Sequence, residues 1–87
     1  AAGDVDGALA DYDQAIARDA KDAGFYTSRG HAYFQLRRFK QALDDYGRAV
    51  ALQPKNAQYF ANRGDAYRGL GQWEKAADVF RQAILLD

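Results

Sequence analysis

Apolar residues recur at intervals of three and four along most of this chain. Val5, Ala8, Leu9, Tyr12, Ala15 and Ile16 form one such series, and Phe39, Ala42, Leu43, Tyr46, Ala49 and Val50 form a second. Trp73, Ala76, Ala77, Phe80, Ala83 and Ile84 form a third. This spacing gathers apolar side chains on one face of an α-helix. The segments between them carry Tyr26, Gly30 and Tyr33, then Phe60, Gly64 and Tyr67, at the same kind of interval. Asp22 and Asn56 stand ahead of those segments, and their side chains can accept from the free N–H groups that open a helix. Pro54 falls between two segments, where its missing N–H is harmless. The pattern predicts five helices, over residues 5–18, 23–36, 39–52, 57–69 and 73–86. Gly3 and Gly71 stand where one helix must reverse into the next and a left-handed residue is convenient. Arg37 fills that place in the middle of the chain, so either the turn differs there or a strain of about 1 kcal/mol is tolerated.

The helical series are copies of one another. Gly30 recurs as Gly64, Tyr33 as Tyr67 and Leu36 as Leu70. Ala8, Ala42 and Ala76 form a series, as do Tyr12, Tyr46 and Phe80. Every step is 34 residues. Residues 23–53 match 57–87 at 10 of 31 positions, and residues 1–22 match 35–56 at 7 of 22. A single register held across three copies divides the chain into the second half of a unit (1–22), a full unit (23–56) and a nearly full one (57–87), within one domain.

Composition narrows the chemistry. The chain has 87 residues, with 12 basic and 12 acidic side chains and a formal net charge of zero. That balance leaves no electrostatic footprint for nucleic acid or an anionic membrane. There is no Cys, so disulfides and thiolate–metal sites are excluded. With no Met, the expectation is a processed chain or a segment of a longer one. No apolar run approaches the roughly 20 residues of a membrane span. At 48% hydrophobic and 14% aromatic residues, the chain is too rich to be disordered.

Tyr26, Arg29-Gly30, Tyr33, Ala42, Tyr46, Ala49 and Pro54, followed by Phe60, Arg63-Gly64, Tyr67, Ala76, Phe80 and Ala83, resemble the tetratricopeptide repeat (TPR). The resemblance covers the whole chain. It implies an all-α fold: a right-handed superhelical stack of antiparallel helix pairs, an α-solenoid. It also implies a concave groove, lined by the first helix of each unit, that holds a peptide or a partner helix. By matching position the groove residues are Thr27, Ser28, His31, Phe34 and Gln35, then Gln58, Asn62, Asp65 and Arg68. One subclass of the family binds C-terminal carboxylates through Lys, Arg and Asn side chains. Asn62 fits that pattern, but Arg68 is the one basic group placed in the groove. An extended peptide read by hydrogen bonds and an apolar pocket is the better expectation.

The small residues allow close helix approach, and the aromatics fill the gaps beside them. Two positions depart from the family pattern: Arg29 and Arg63 stand where Leu is usual. A buried guanidinium needs a partner. The expected pairs are Arg29–Asp11 and Arg63–Asp45, with Asp44 and Asp78 competing; the alternative is that the arginine stems snorkel and their heads meet water. Phe34 lies off the core stripe, either exposed as an anchor or packed by Tyr26 or a neighbouring turn. His31 is the one imidazole and is expected to be solvated. No nucleophile, phosphate loop or metal-ligand constellation is present, so neither catalysis nor a cofactor is expected. Both ends of the stack are uncapped. Leu9, Tyr12 and Ile16 at one end, and Ile84 and Leu85 at the other, are expected to face water unless covered by a second copy or by further chain. The leading function is a protein-interaction scaffold. The alternative is self-assembly through those ends.

Overall fold

The computed structural model describes residues 2–86. Among these there are five helices and no strand: α1 (Ala2–Arg18), α2 (Ala23–Gln35), α3 (Phe39–Leu52), α4 (Ala57–Gly69) and α5 (Trp73–Leu86). Each helix packs chiefly on the next, giving a slab of 34 × 26 × 15 Å.

Local chemistry sets the boundaries. The Asp22 carboxylate accepts from the Gly24 N–H at 2.9 Å, and the Asn56 amide oxygen accepts from the Tyr59 N–H at 3.2 Å. Both satisfy donors that the first turn of a helix leaves free. The α2 and α4 ends close identically. Arg38 N–H donates to Tyr33 C=O at 2.9 Å and Arg37 N–H donates to Phe34 C=O at 3.0 Å. Gln72 N–H to Tyr67 C=O and Gly71 N–H to Arg68 C=O, both 2.9 Å, repeat the pair one unit on. This pair of hydrogen bonds requires a left-handed residue just past the helix. Gly71 takes φ 75° without a Cβ penalty, and Arg37 takes φ 60° with one. The turn is therefore kept and the strain tolerated. Gly3 departs from expectation: it lies inside α1, which begins at Ala2 rather than at residue 5.

Ala42, Tyr46 and Ala66 form the centre of the core, with Tyr33, Phe34 and Leu43 packed around them. The Tyr46 ring fits because Gly30 has no side chain. A Cβ there would lie 2.6 Å from Tyr46 Cε1, far inside van der Waals contact. Gly64 stands in the same relation to Phe80, at 2.7 Å. Leu9, expected at an open end, is buried in the core instead, while Tyr12 and Ile16 are half-buried. Covering by α2 explains the difference. At the other end Ile84 is 72% exposed and Leu85 85% exposed.

Candidate functional site

The arginine pairing differs from the expected one. Arg29 reaches the carboxylate of its own hairpin. Its Nε and Nη2 each donate to Asp45 at 2.8 Å, and Nη1 donates to Asp13 on α1 at 2.8 Å. Asp11 is exposed and is not part of this cluster. On α1 it is Asp13, two residues on, that faces α2. Asp45 is 1% exposed and also accepts from Arg48 Nη1 at 3.0 Å. The hydrogen bond from Arg29 to Asp45 outweighs desolvation and, with Asp13, raises the arginine pKa above its ordinary value. Arg63 does not pair with Asp45, which accepts from Arg29 and Arg48 instead. Asp78 is held by Arg81, and Asp44 faces solvent.

Seven of the nine expected groove residues line three hollows. Ser28, His31 and Gln35 meet α1 around a hollow of about 290 Å³ that includes Val5, Ala8 and Tyr12. Phe34, Asp65 and Arg68 line a second hollow of about 410 Å³, together with Phe39, Gly69 and Trp73. Gln58 belongs to a third of about 580 Å³ at the far end of the stack, between Ala57 and Ala61 of α4 and Phe80, Ala83 and Ile84 of α5. Thr27 and Asn62 line none of these three. The Thr27 hydroxyl donates to Ala23 C=O at 3.0 Å, within its own helix. Asn62 is buried and accepts from Gln58 Nε2 at 3.0 Å.

His31 is exposed but not unpartnered. Its Nδ1 and the Tyr46 hydroxyl share a hydrogen bond of 2.7 Å, tying the first hollow to the core. Tyr46 itself is buried, and desolvation first, then the Asp65 and Asp45 charges, raise its pKa. Phe34 is half-buried. It packs edge-on against Phe39 with ring centroids 5.0 Å apart, so the neighbouring turn covers it rather than Tyr26.

The second hollow has the richest mixed chemistry. Phe34 and Phe39 give it an aromatic wall. Gly69 leaves room for that wall, since a Cβ there would meet Phe39 Cδ1 at 2.5 Å. Arg68 Nη1 and Asp65 Oδ1 form an ion pair of 3.4 Å across one helical turn. Trp73 completes the lining and is 66% exposed. Trp73 and Phe39 both belong to apolar series in the sequence, which mark them as core rather than as part of a site. Their apolar periodicity carries no sign of which neighbour covers them.

The comparisons agree with this architecture. The "TPR repeat" description matches residues 1–36 and 30–71, and "Tetratricopeptide repeat" matches residues 57–87. The chain belongs to the tetratricopeptide-repeat family, whose domains are protein-interaction modules. Among solved structures it is similar to the second TPR of Spaghetti (RPAP3) bound to the HSP90 peptide SRMEEVD. The identity is 29% and the TM-score 0.90, over 98% of this chain and 79% of that one. It is similar to the Arabidopsis OM64 TPR domain at 30% identity and TM-score 0.90, over 98% and 70% of the two chains. The crystal structure of MamA shares the fold at 23% identity and TM-score 0.91, over 95% of this chain and 48% of that one. No curated protein matches the sequence. No described helix is long and apolar enough to cross a membrane.

Proposed function

We propose that this chain is a non-catalytic scaffold that holds an extended peptide or partner helix. In this reading the hollow lined by Phe34, Phe39, Asp65, Arg68, Gly69 and Trp73 takes an apolar or aromatic side chain of the partner. The observation that carries it is the exposed Trp73 ring beside the Phe34–Phe39 pair and an accessible ion pair. An aromatic anchor within a polar rim is the usual composition of a binding hot spot. The TPR of Spaghetti carries an acidic peptide, SRMEEVD. Here Arg68 is engaged by Asp65 and Asn62 is buried. A peptide with an apolar side chain therefore suits this groove better than one held by two carboxylates. His31, Ser28 and Gln35 extend the same surface toward α1. The units proposed to carry it are residues 23–56 and 57–87, preceded by the half unit 1–22.

Trp73 is the one tryptophan of the chain, so its fluorescence reports directly on the hollow. Twelve-residue peptides selected from a random library should change that emission saturably. Substituting Arg68 or Phe34 by Ala should weaken them by about tenfold or more, as hot-spot truncations do. SRMEEVD should bind less well than the selected apolar peptides. Selected peptides that bind both variants as tightly as the parent chain would overturn this reading. A second reading, self-association, rests on Ile84 and Leu85 being exposed and on the hollow beside Ile84, with Tyr12 and Ile16 half-buried at the other end. Sedimentation would show it as concentration-dependent mass that falls when Ile84 becomes Glu.

A further inference from the structure

Arg29 and Arg63 stand 34 residues apart at the same place in successive hairpins, yet their surroundings differ. Arg29 has two carboxylates, Asp45 from α3 and Asp13 from α1. One unit on, the position of Asp45 is Val79 and the position of Asp13 is Gly47. Both acidic groups are gone, and the arginine remains. Arg63 makes no ion pair among the described residues, and its Nε is buried with no hydrogen-bond partner. The head has also turned. The Arg29 guanidinium lies over Tyr26, one turn back, at 5.8 Å, whereas that of Arg63 lies over Tyr67, one turn on, at 5.9 Å. A guanidinium with no acceptor settles on a ring face, which attracts the charge but accepts no in-plane N–H bond.

Buried Val79 fills the place of Asp45, which serves Nε on Arg29, but the place of Asp13, which serves Nη1, is open. A Cβ built on Gly47 meets no atom within 4 Å. The site is also separate from the groove, because Asp65 lies two residues from Arg63, about 200° around the helix. We propose that Arg63 is a vacant carboxylate site. An acidic side chain of a partner polypeptide enters beside Gly47 and takes the place on Arg63 that Asp13 holds on Arg29. A polypeptide is favoured over a free anion because both carboxylates that serve Arg29 are presented from helices, which supply the positioning that a single guanidinium lacks. The site is independent of the hollow around Trp73 and would bring a partner to the opposite side of the stack.

The test uses the 87-residue chain labelled with nitrogen-15, reading the Arg63 Nε–H resonance, which Arg63→Gln identifies by its loss. The probe is end-blocked tetraglutamate at millimolar concentration and constant ionic strength, with end-blocked tetraglutamine and sodium acetate as parallel arms. Tetraglutamate should shift the resonance saturably, and tetraglutamine should leave it unmoved. Gly47→Asp places a carboxylate in the open space and should weaken the response by about tenfold or more, since the charge-assisted bonds are already made. It should also shift the resonance in the absence of peptide. Three results would overturn the proposal: no saturable shift, an undiminished response in Gly47→Asp, or an equal response to acetate at matched carboxylate concentration.

Discussion

Replacing Asp45 with Ala tests the ion-pair cluster at its centre. The carboxylate is fully buried and accepts three bonds, two from Arg29 at 2.8 Å and one from Arg48 at 3.0 Å. Its removal strands the Nε and Nη2 of an arginine whose side chain is 17% exposed. Breaking a buried pair by deleting one partner costs about 3–5 kcal/mol. The lower end applies here, because Asp13 still holds Nη1 and the head lies near the surface. Arg48 is half-exposed, so its share is about 0.5 kcal/mol or less. The expected loss is therefore about 3 kcal/mol, a large part of a small domain's total stability. At roughly 4–8 °C per kcal/mol, Tm should fall by about 12–24 °C. Urea unfolding followed by circular dichroism measures it. Asp13→Ala, at an exposed site, should cost about 0.5 kcal/mol. In the cycle with Arg29→Met, the Asp45 and Arg29 changes should couple by about 2 kcal/mol or more, since removing both leaves no stranded charge. Equal costs for Asp45→Ala and Asp13→Ala, or strict additivity with Arg29→Met, would refute the reasoning.

Arg37→Gly should raise stability by about 0.5–1 kcal/mol by relieving the left-handed strain at φ 60°, and thermal melts should show no gain for Arg38→Gly. Gly30→Ala should destabilise by about 1–3 kcal/mol because the buried Tyr46 ring cannot yield, whereas Gly64→Ala should cost less because half-buried Phe80 can shift outward; equal urea midpoints would contradict this. The raised pKa of Tyr46 means that the folded chain holds its phenol proton longer than the unfolded one. This contribution is intact below the ordinary tyrosine pKa near 10 and is lost as pH rises above it. Tyr46→Phe should therefore flatten the alkaline fall in stability relative to the parent chain, and parallel curves for the two would count against the burial argument.

The helices and their order were readable from periodicity, because an amphipathic face repeated every 34 residues admits few other arrangements. Caps at Asp22 and Asn56 and the turn at Gly71 were equally readable, since each is a contact between near neighbours. The groove was legible only as a set of helix positions. Spacing along a helix says which side chains share a face, but not which of them the next helix covers. Asn62 thus proved buried and Thr27 bonded to its own backbone, while Trp73, placed with the core series, lies open.

The arginine partners show the same division most clearly. That Arg29 and Arg63 would need carboxylates followed from burying a charge, which any chain of this pattern must answer. Which carboxylates answer depends on how adjacent helices are rotated against each other, an angle set by packing among Gly30, Tyr46 and their neighbours. That rotation turns Asp13 rather than Asp11 toward α2 and gives Asp45 to Arg29. One unit on, the sequence has Val79 and Gly47 at the positions of those two carboxylates, and Arg63 makes no ion pair among the described residues. Local rules act through bonds a few residues apart, and helix rotation is settled only when distant side chains compete for the same space.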